Sequence, residues 1–183
     1  MLTDLQTKKL TRYFQVYDIL DNGRISSADF ARVLENIRIL KGESETSATY
    51  QGFRSAFLNR WETLTKVADV DQSGSIDLDE WLAYWQITLD DTESYELEVE
   101  GMKNRLFRMV DTDEDGVIGA NEFCDFYGIF GLGANLARSI FLELDLDQDG
   151  AITRAELLDM VRQFYMADDP EAPGNMLFGP IGV

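Results

Sequence analysis

DVDQSGSIDLDE (Asp69–Glu80), DTDEDGVIGANE (Asp111–Glu122) and DLDQDGAITRAE (Asp145–Glu156) share one pattern. Each has an oxygen-bearing side chain at positions 1, 3 and 5, Gly at 6, Ile at 8 and Glu at 12. A hard cation such as Ca²⁺ takes about 6 to 8 oxygens at about 2.3–2.6 Å. A short loop can surround such an ion only if alternate side chains point inward and the backbone turns sharply. The Gly at position 6, Gly74 in the first of these stretches, supplies the freedom for that turn. A solvated acidic turn containing Asp-Gly would account for one such match, but not for three complete ones.

The pattern is that of the EF-hand calcium loop, so each position carries an expected role. In the stretch from Asp69 the expected ligands are Asp69, Asp71, Ser73, the carbonyl of Ser75, Asp77 and Glu80. In the stretch from Asp111 they are Asp111, Asp113, Asp115, the carbonyl of Val117 and Glu122, with water in place of a side chain at Gly119. In the stretch from Asp145 they are Asp145, Asp147, Asp149, the carbonyl of Ala151, Thr153 and Glu156. Position 9 (Asp77, Thr153) is expected to act through water. The Glu at 12 is expected to close the shell with both oxygens. Three Ca²⁺ sites follow.

A fourth copy, DILDNGRISSAD (Asp18–Asp29), keeps Gly23 and Ile25 but has Leu20 at position 3 and the shorter Asp29 at position 12. Arg24 at position 7 adds a positive charge beside it. This loop is expected to be an empty or weakly filled structural partner of the next one.

The chain has 183 residues, 34 Asp plus Glu against 16 Lys plus Arg, and a net charge of −18. Such a charge repels nucleic acid and anionic membrane surfaces. Hydrophobic residues make up 45% and include 11 Phe, 7 Tyr and 3 Trp, so a packed core is expected rather than disorder. Cys124 is the single cysteine, and there is no His. The missing His removes the commonest general base, and no nucleophile or phosphate-loop motif stands out, so the chain does not read as an enzyme. MLTDLQTKKL lacks the apolar core of a signal peptide, and no apolar run reaches the ~18 residues of a membrane span. A cytoplasmic monomer without a membrane span is expected.

The repeat is a helix–loop–helix unit, so the fold class is all-α, with four units in two pairs packed into one globule. Apolar residues before the loops (Phe14 and Tyr17, Leu64 and Val67, Phe107 and Val110, Phe141 and Leu144) are expected in the core. So are Phe30, Trp81, Phe123 and Leu157, directly after position 12. The isoleucines at position 8 are expected to face each other in short two-stranded contacts, Ile25 with Ile76 and Ile118 with Ile152. The expected division is residues 1–90, 91–166 and a Pro-containing tail 167–183, with the lobe boundary between Leu89 and Glu96. The extra length between the first two loops is assigned to Arg38–Thr49, as helix extension and polar loop. Pro170, Pro173 and Pro180 rule out a regular helix in the tail. Its Met176, Leu177, Phe178 and Ile181 are expected to dock on the body, a frayed terminus being the alternative.

With four loops of which one is degenerate, uneven spacing, aromatic-rich helices and the ending GNMLFGPIGV, the chain resembles the sarcoplasmic calcium-binding protein group, including calexcitin-like proteins and bacterial calerythrin. The resemblance implies two hand pairs packed face to face and high-affinity sites at which Mg²⁺ competes with Ca²⁺. A Ca²⁺ buffer is the leading expectation. The chain has 6 Met, few for the flexible groove of a sensor, and its own tail is available to fill a groove. A sensor that releases its tail to admit a protein target is the alternative. Light-emitting relatives of the group use histidines around a chromophore, and this chain has none.

Overall fold

The computed structural model describes residues 1–181; Gly182 and Val183, the end of the expected tail segment, lie outside the described residues. The first unit is α1 (Asp4–Tyr17), β1 (Ile25–Ser26) and α2 (Ser27–Leu40). It is followed by α3 (Ala48–Ala68), β2 (Ser75–Ile76) and α4 (Leu78–Asp90). The second half repeats the plan with α5 (Thr92–Val110), β3 (Val117–Gly119), α6 (Ala120–Ile129), α7 (Ala134–Leu144), β4 (Ala151–Thr153) and α8 (Arg154–Met166).

Each strand is the back half of a loop, and each pairs with its neighbour. β1 runs antiparallel to β2 with Ile25 opposite Ile76, and β3 to β4 with Ile118 opposite Ile152. All four isoleucines are buried, so each contact joins two loops through a dry apolar pair flanked by backbone hydrogen bonds.

The helices start and stop for local reasons. The residue at position 9 is the N-cap of the exiting helix: Ser26, Asp77 and Thr153 accept from backbone N–H groups of the first turn. The position-12 acid lies three residues on and reaches back to the N-cap amide, which completes a capping box. Gly119 has no side chain, so only the Glu122 half of that arrangement exists at α6.

The core is aromatic. Phe14, Phe107, Val110, Phe141 and Leu144 from the entering helices are buried, as are Phe30, Trp81, Phe123 and Leu157 after the loops, while Tyr17 is half-buried. Before the second loop the buried pair is Leu64 and Ala68; Val67, expected inside, is 63% exposed. The correction is geometric: Ala68 directly precedes the loop, the place that Val110 and Leu144 fill on the buried faces of α5 and α7, whereas Val67 lies one residue earlier, about 100° round the helix. The extra length also differs from expectation in part. Residues 38–40 end α2 without lengthening it much; the expected polar loop is residues 41–47, longer than the links between α4 and α5 or α6 and α7, and α3 itself runs for 21 residues. α4 and α5 are separated by Asp91 alone, which ends one helix and caps the next through Ser94.

Two polar devices tie the halves together. Glu98 on α5 takes both arms of Arg60 on α3, at 2.8 and 3.1 Å, and also accepts from Arg105 and from the Tyr84 hydroxyl. Burial would raise the Glu98 carboxyl, but the two guanidinium groups outweigh it and hold it below the usual range. Lys9, fully covered, donates to the carbonyls of Gln163 and Ala167 at 3.0 and 2.7 Å, so an ammonium on α1 closes the C-terminal end of α8.

After α8 the chain makes a 3₁₀ turn (Pro173–Met176) and lies across α1, α7 and α8. Leu177 and Phe178 are buried. The Phe178 ring stacks on Tyr13 at 4.3 Å and meets Phe164 edge-on at 5.0 Å. Arg12 donates to the Phe178 carbonyl at 2.9 Å, and the Tyr127 hydroxyl donates to those of Met176 and Leu177. Gly174 passes so close to α8 that an added Cβ would lie 2.5 Å from the Met160 carbonyl oxygen. Phe178→Ala leaves a cavity against Tyr13 and Phe164, and is expected to cost about 3–5 kcal/mol in a denaturant melt. A loss below about 1 kcal/mol would show that the tail contributes little to the fold.

Candidate metal centres

All four loops share one backbone course, the degenerate one included. The residue at position 4 has positive φ in each (Asp21, Gln72, Glu114 and Gln148, 51–61°), followed by the position-6 glycine at 80–90°. The position-6 glycines were legible in the sequence. The left-handed turn at position 4 was not, because Asp, Gln and Glu carry no strong signal for it.

Three acidic clusters result. Asp69, Asp71 and Glu80 bring carboxylate oxygens within 4.8 Å of one another, as do Asp111, Asp113 and Asp115, and Asp145, Asp147 and Asp149. Like charges this close repel, and a divalent cation among them relieves the repulsion, which fits three Ca²⁺. Asp111 Oδ1 and Asp145 Oδ1 fit it best. Both atoms are buried and have no hydrogen-bond partner in the protein. A buried carboxylate oxygen without a donor is costly, and a metal ion at position 1 would satisfy it.

The remaining expected ligands lie around these clusters. Ser73 stands at the edge of the first, its hydroxyl donating to the Ser75 carbonyl at 3.1 Å. The carbonyl-bearing residues Ser75, Val117 and Ala151 open the three strands. Asp77 and Thr153 are not in the clusters: Asp77 Oδ1 and Thr153 Oγ1 accept from the amides of Glu80 and Glu156. Glu122 and Glu156 also lie outside them. Glu122 accepts from the Thr112 amide and hydroxyl at 2.7 and 2.9 Å and from the Gly119 amide at 3.0 Å. Burial alone would raise its carboxyl, but these donors hold it below the usual range. Glu156 accepts from the Thr153 amide at 2.8 Å and hydroxyl at 2.7 Å.

The first loop satisfies its own acids. Asp18 accepts from the Asn22 and Gly23 amides at 3.0 and 2.7 Å; Asp29 accepts from the amides of Leu20 and Ser26. Leu20, at position 3, is 42% exposed. Arg24 does not stay beside its own loop. It crosses to the second, where its guanidinium donates to Ser75 Oγ at 2.9 Å and to Ser73 Oγ at 3.4 Å. Sequence reasoning placed that charge at the first loop because the direction of an exposed side chain is not written in loop spacing.

Among the described residues no helix is long and apolar enough to cross a membrane. A family model described as an EF-hand domain pair matches residues 58–128, and an EF-hand model matches residues 137–161. Calerythrin of Saccharopolyspora erythraea is 26% identical over 167 residues, covering 90% of this chain and 94% of calerythrin. The solved sarcoplasmic calcium-binding protein of amphioxus superposes with a TM-score of 0.78 at 20% identity, covering 98% of this chain and 99% of its own. A Streptomyces coelicolor calcium-binding protein, whose structure is described as a basis for prokaryotic calcium-mediated regulation, superposes with a TM-score of 0.68 at 22% identity, covering 90% and 99%. With its paired loops, three acidic clusters and these matches, the chain is a calcium-binding protein with EF-hand domains, homologous to calerythrin, the sarcoplasmic calcium-binding proteins and calexcitin.

Proposed function

We propose that this protein is a cytoplasmic, monomeric calcium buffer with three sites, at which Mg²⁺ competes. The tail carries the reading. Leu177 and Phe178 occupy the apolar face between α1 and α8, where a target helix would otherwise insert, and Phe178 is stacked on Tyr13. A molecule that covers its own groove stores ions without recruiting a partner. No catalysis is proposed.

One observation favours the sensor reading. An aromatic groove of about 80 Å³ remains open beside α3, lined by Phe53, Phe57, Met102, Met109 and Phe130 among others. The two readings separate by exposed apolar surface. The buffer should bind an environment-sensitive dye equally weakly with Ca²⁺ and with EDTA plus Mg²⁺. A several-fold rise on adding Ca²⁺ would favour the sensor.

The proposed ligands of the second loop are Asp69, Asp71, Ser73, the Ser75 carbonyl, Asp77 and Glu80. Those of the third are Asp111, Asp113, Asp115, the Val117 carbonyl and Glu122, and those of the fourth Asp145, Asp147, Asp149, the Ala151 carbonyl, Thr153 and Glu156. In this reading Glu122 and Glu156 turn from capping their helices toward the ion. Glu122→Gln keeps the side-chain shape but loses the charge and one of the two oxygens that accept from the Thr112 and Gly119 amides. Calorimetric titration should fall from three Ca²⁺ to two, with a modest weakening at the fourth loop through the Ile118–Ile152 contact. Wild-type affinities should lie within about 10⁻⁸–10⁻⁶ M. Unchanged stoichiometry in the variant would remove Glu122 from the site.

Metal removal should also destabilise the fold. A site held at about 1,000 times its dissociation constant adds roughly 4 kcal/mol, less whatever the unfolded chain binds. Melting in EDTA should therefore occur well below melting in excess Ca²⁺. Superimposable melts would refute the coupling.

A further inference from the structure

The four loops fall into two classes by how their position-1 acids are satisfied. At the third and fourth loops one buried oxygen of Asp111 and one of Asp145 has no partner in the protein. At the second loop both oxygens of Asp69 are taken, by the amides of Ser73 and Gly74, each at 3.0 Å. The degenerate first loop shows the same closed arrangement around Asp18. The second loop thus carries the sequence pattern of a metal site but the internal bonding of its degenerate neighbour.

A cation is already present at its edge. β1 and β2 align Ile25 with Ile76 and Ser26 with Ser75, which puts Arg24, one residue before β1, across from Asp77, and its long side chain runs diagonally to Ser75 and Ser73. Its guanidinium meets both hydroxyls. Ser73 is the weakest expected ligand, a hydroxyl where the other two loops have Asp115 and Asp149.

We propose that Arg24, contributed by the degenerate hand, is the residue that sets calcium affinity at the second site: a tethered counter-cation that stabilises the metal-free loop and opposes the incoming ion. The degenerate hand then does more than buttress its partner; it makes the second site the weakest, last-filling and most salt-dependent of the three. The inference rests on the reading of Asp69–Glu80 as a calcium site.

The size follows from distance. If Ser73 Oγ ligates Ca²⁺, the guanidinium nitrogen 3.4 Å from that oxygen lies no farther than about 6 Å from the ion. In a water-like dielectric, a unit charge at that distance weakens binding of a divalent ion roughly tenfold without salt and roughly threefold at physiological ionic strength.

The test uses the full chain. Ca²⁺ binding is followed by calorimetry and by tryptophan fluorescence, to which Trp81, directly after Glu80, contributes beside Trp61 and Trp85. Arg24→Gln keeps a hydrogen-bond donor but removes the charge, and Arg24→Lys keeps the charge. Arg24→Gln should tighten the second site about threefold at physiological salt, with a larger gain at low salt and almost none at high salt. Arg24→Lys should stay near wild type. The metal-free Arg24→Gln protein should melt below wild type, opposite in sign to its gain in affinity, which a merely structural contact would not produce. Glu80→Gln is the control for the underlying reading. If it leaves three Ca²⁺ bound, the second loop is not a site and that reading fails. If it removes one Ca²⁺ while Arg24→Gln leaves affinity and salt dependence unchanged, the role of Arg24 alone is overturned.

Discussion

The contact between position-8 isoleucines is the constraint on which the rest of the molecule depends. A lone helix–loop–helix buries too little apolar surface to hold a loop that gathers several carboxylates. Pairing Ile25 with Ile76 and Ile118 with Ile152 gives each loop a dry backing and a fixed register. The register then decides which side chains of one loop reach the other, and Arg24 crosses to Ser73 and Ser75 for that reason. It also explains why a hand without a full ligand set keeps its place: losing Ile25 would leave Ile76 without its partner.

The acids at positions 1 and 12 serve the polypeptide itself. Asp18, Asp69, Asp111 and Asp145 accept from the amide of the position-6 glycine, across the turn. The acids at 12 tie the exiting helix to its N-cap amide, and in the first three loops also to the start of the loop. The course of each loop is therefore held in part by its own acids. The halves differ in what is left over. The third and fourth loops retain a buried oxygen without a donor, whereas the first and second do not, so the cost of the metal-free state is unequally distributed.

The tail and the Arg60–Glu98–Arg105 group belong to a different level of organisation. Phe178 lies far in sequence from Tyr13, yet the two rings stack, and Arg12 fixes the carbonyl beside them. Glu98 gathers α3, α4 and α5 around one half-buried carboxylate. Both are long-range, and they make one body of two loop pairs that need not otherwise be held in a single orientation.

Spacing and side-chain chemistry were enough to specify the loops, their pairing, the buried faces before and after them, and the all-α class. All but the pairing rest on interactions within a dozen residues, whose geometry is set by helix period, glycine freedom and metal–oxygen distance; the pairing was legible because an Ile recurs at position 8 of every loop. Packing between distant segments set the rest. It put Ala68 inside and Val67 outside, and stacked Phe178 on Tyr13. It turned Arg24 onto the neighbouring loop and left Asp111 and Asp145 each with an unpartnered oxygen. Each of these depends on which atoms meet across the fold, and residues near one another along the chain carry no record of that.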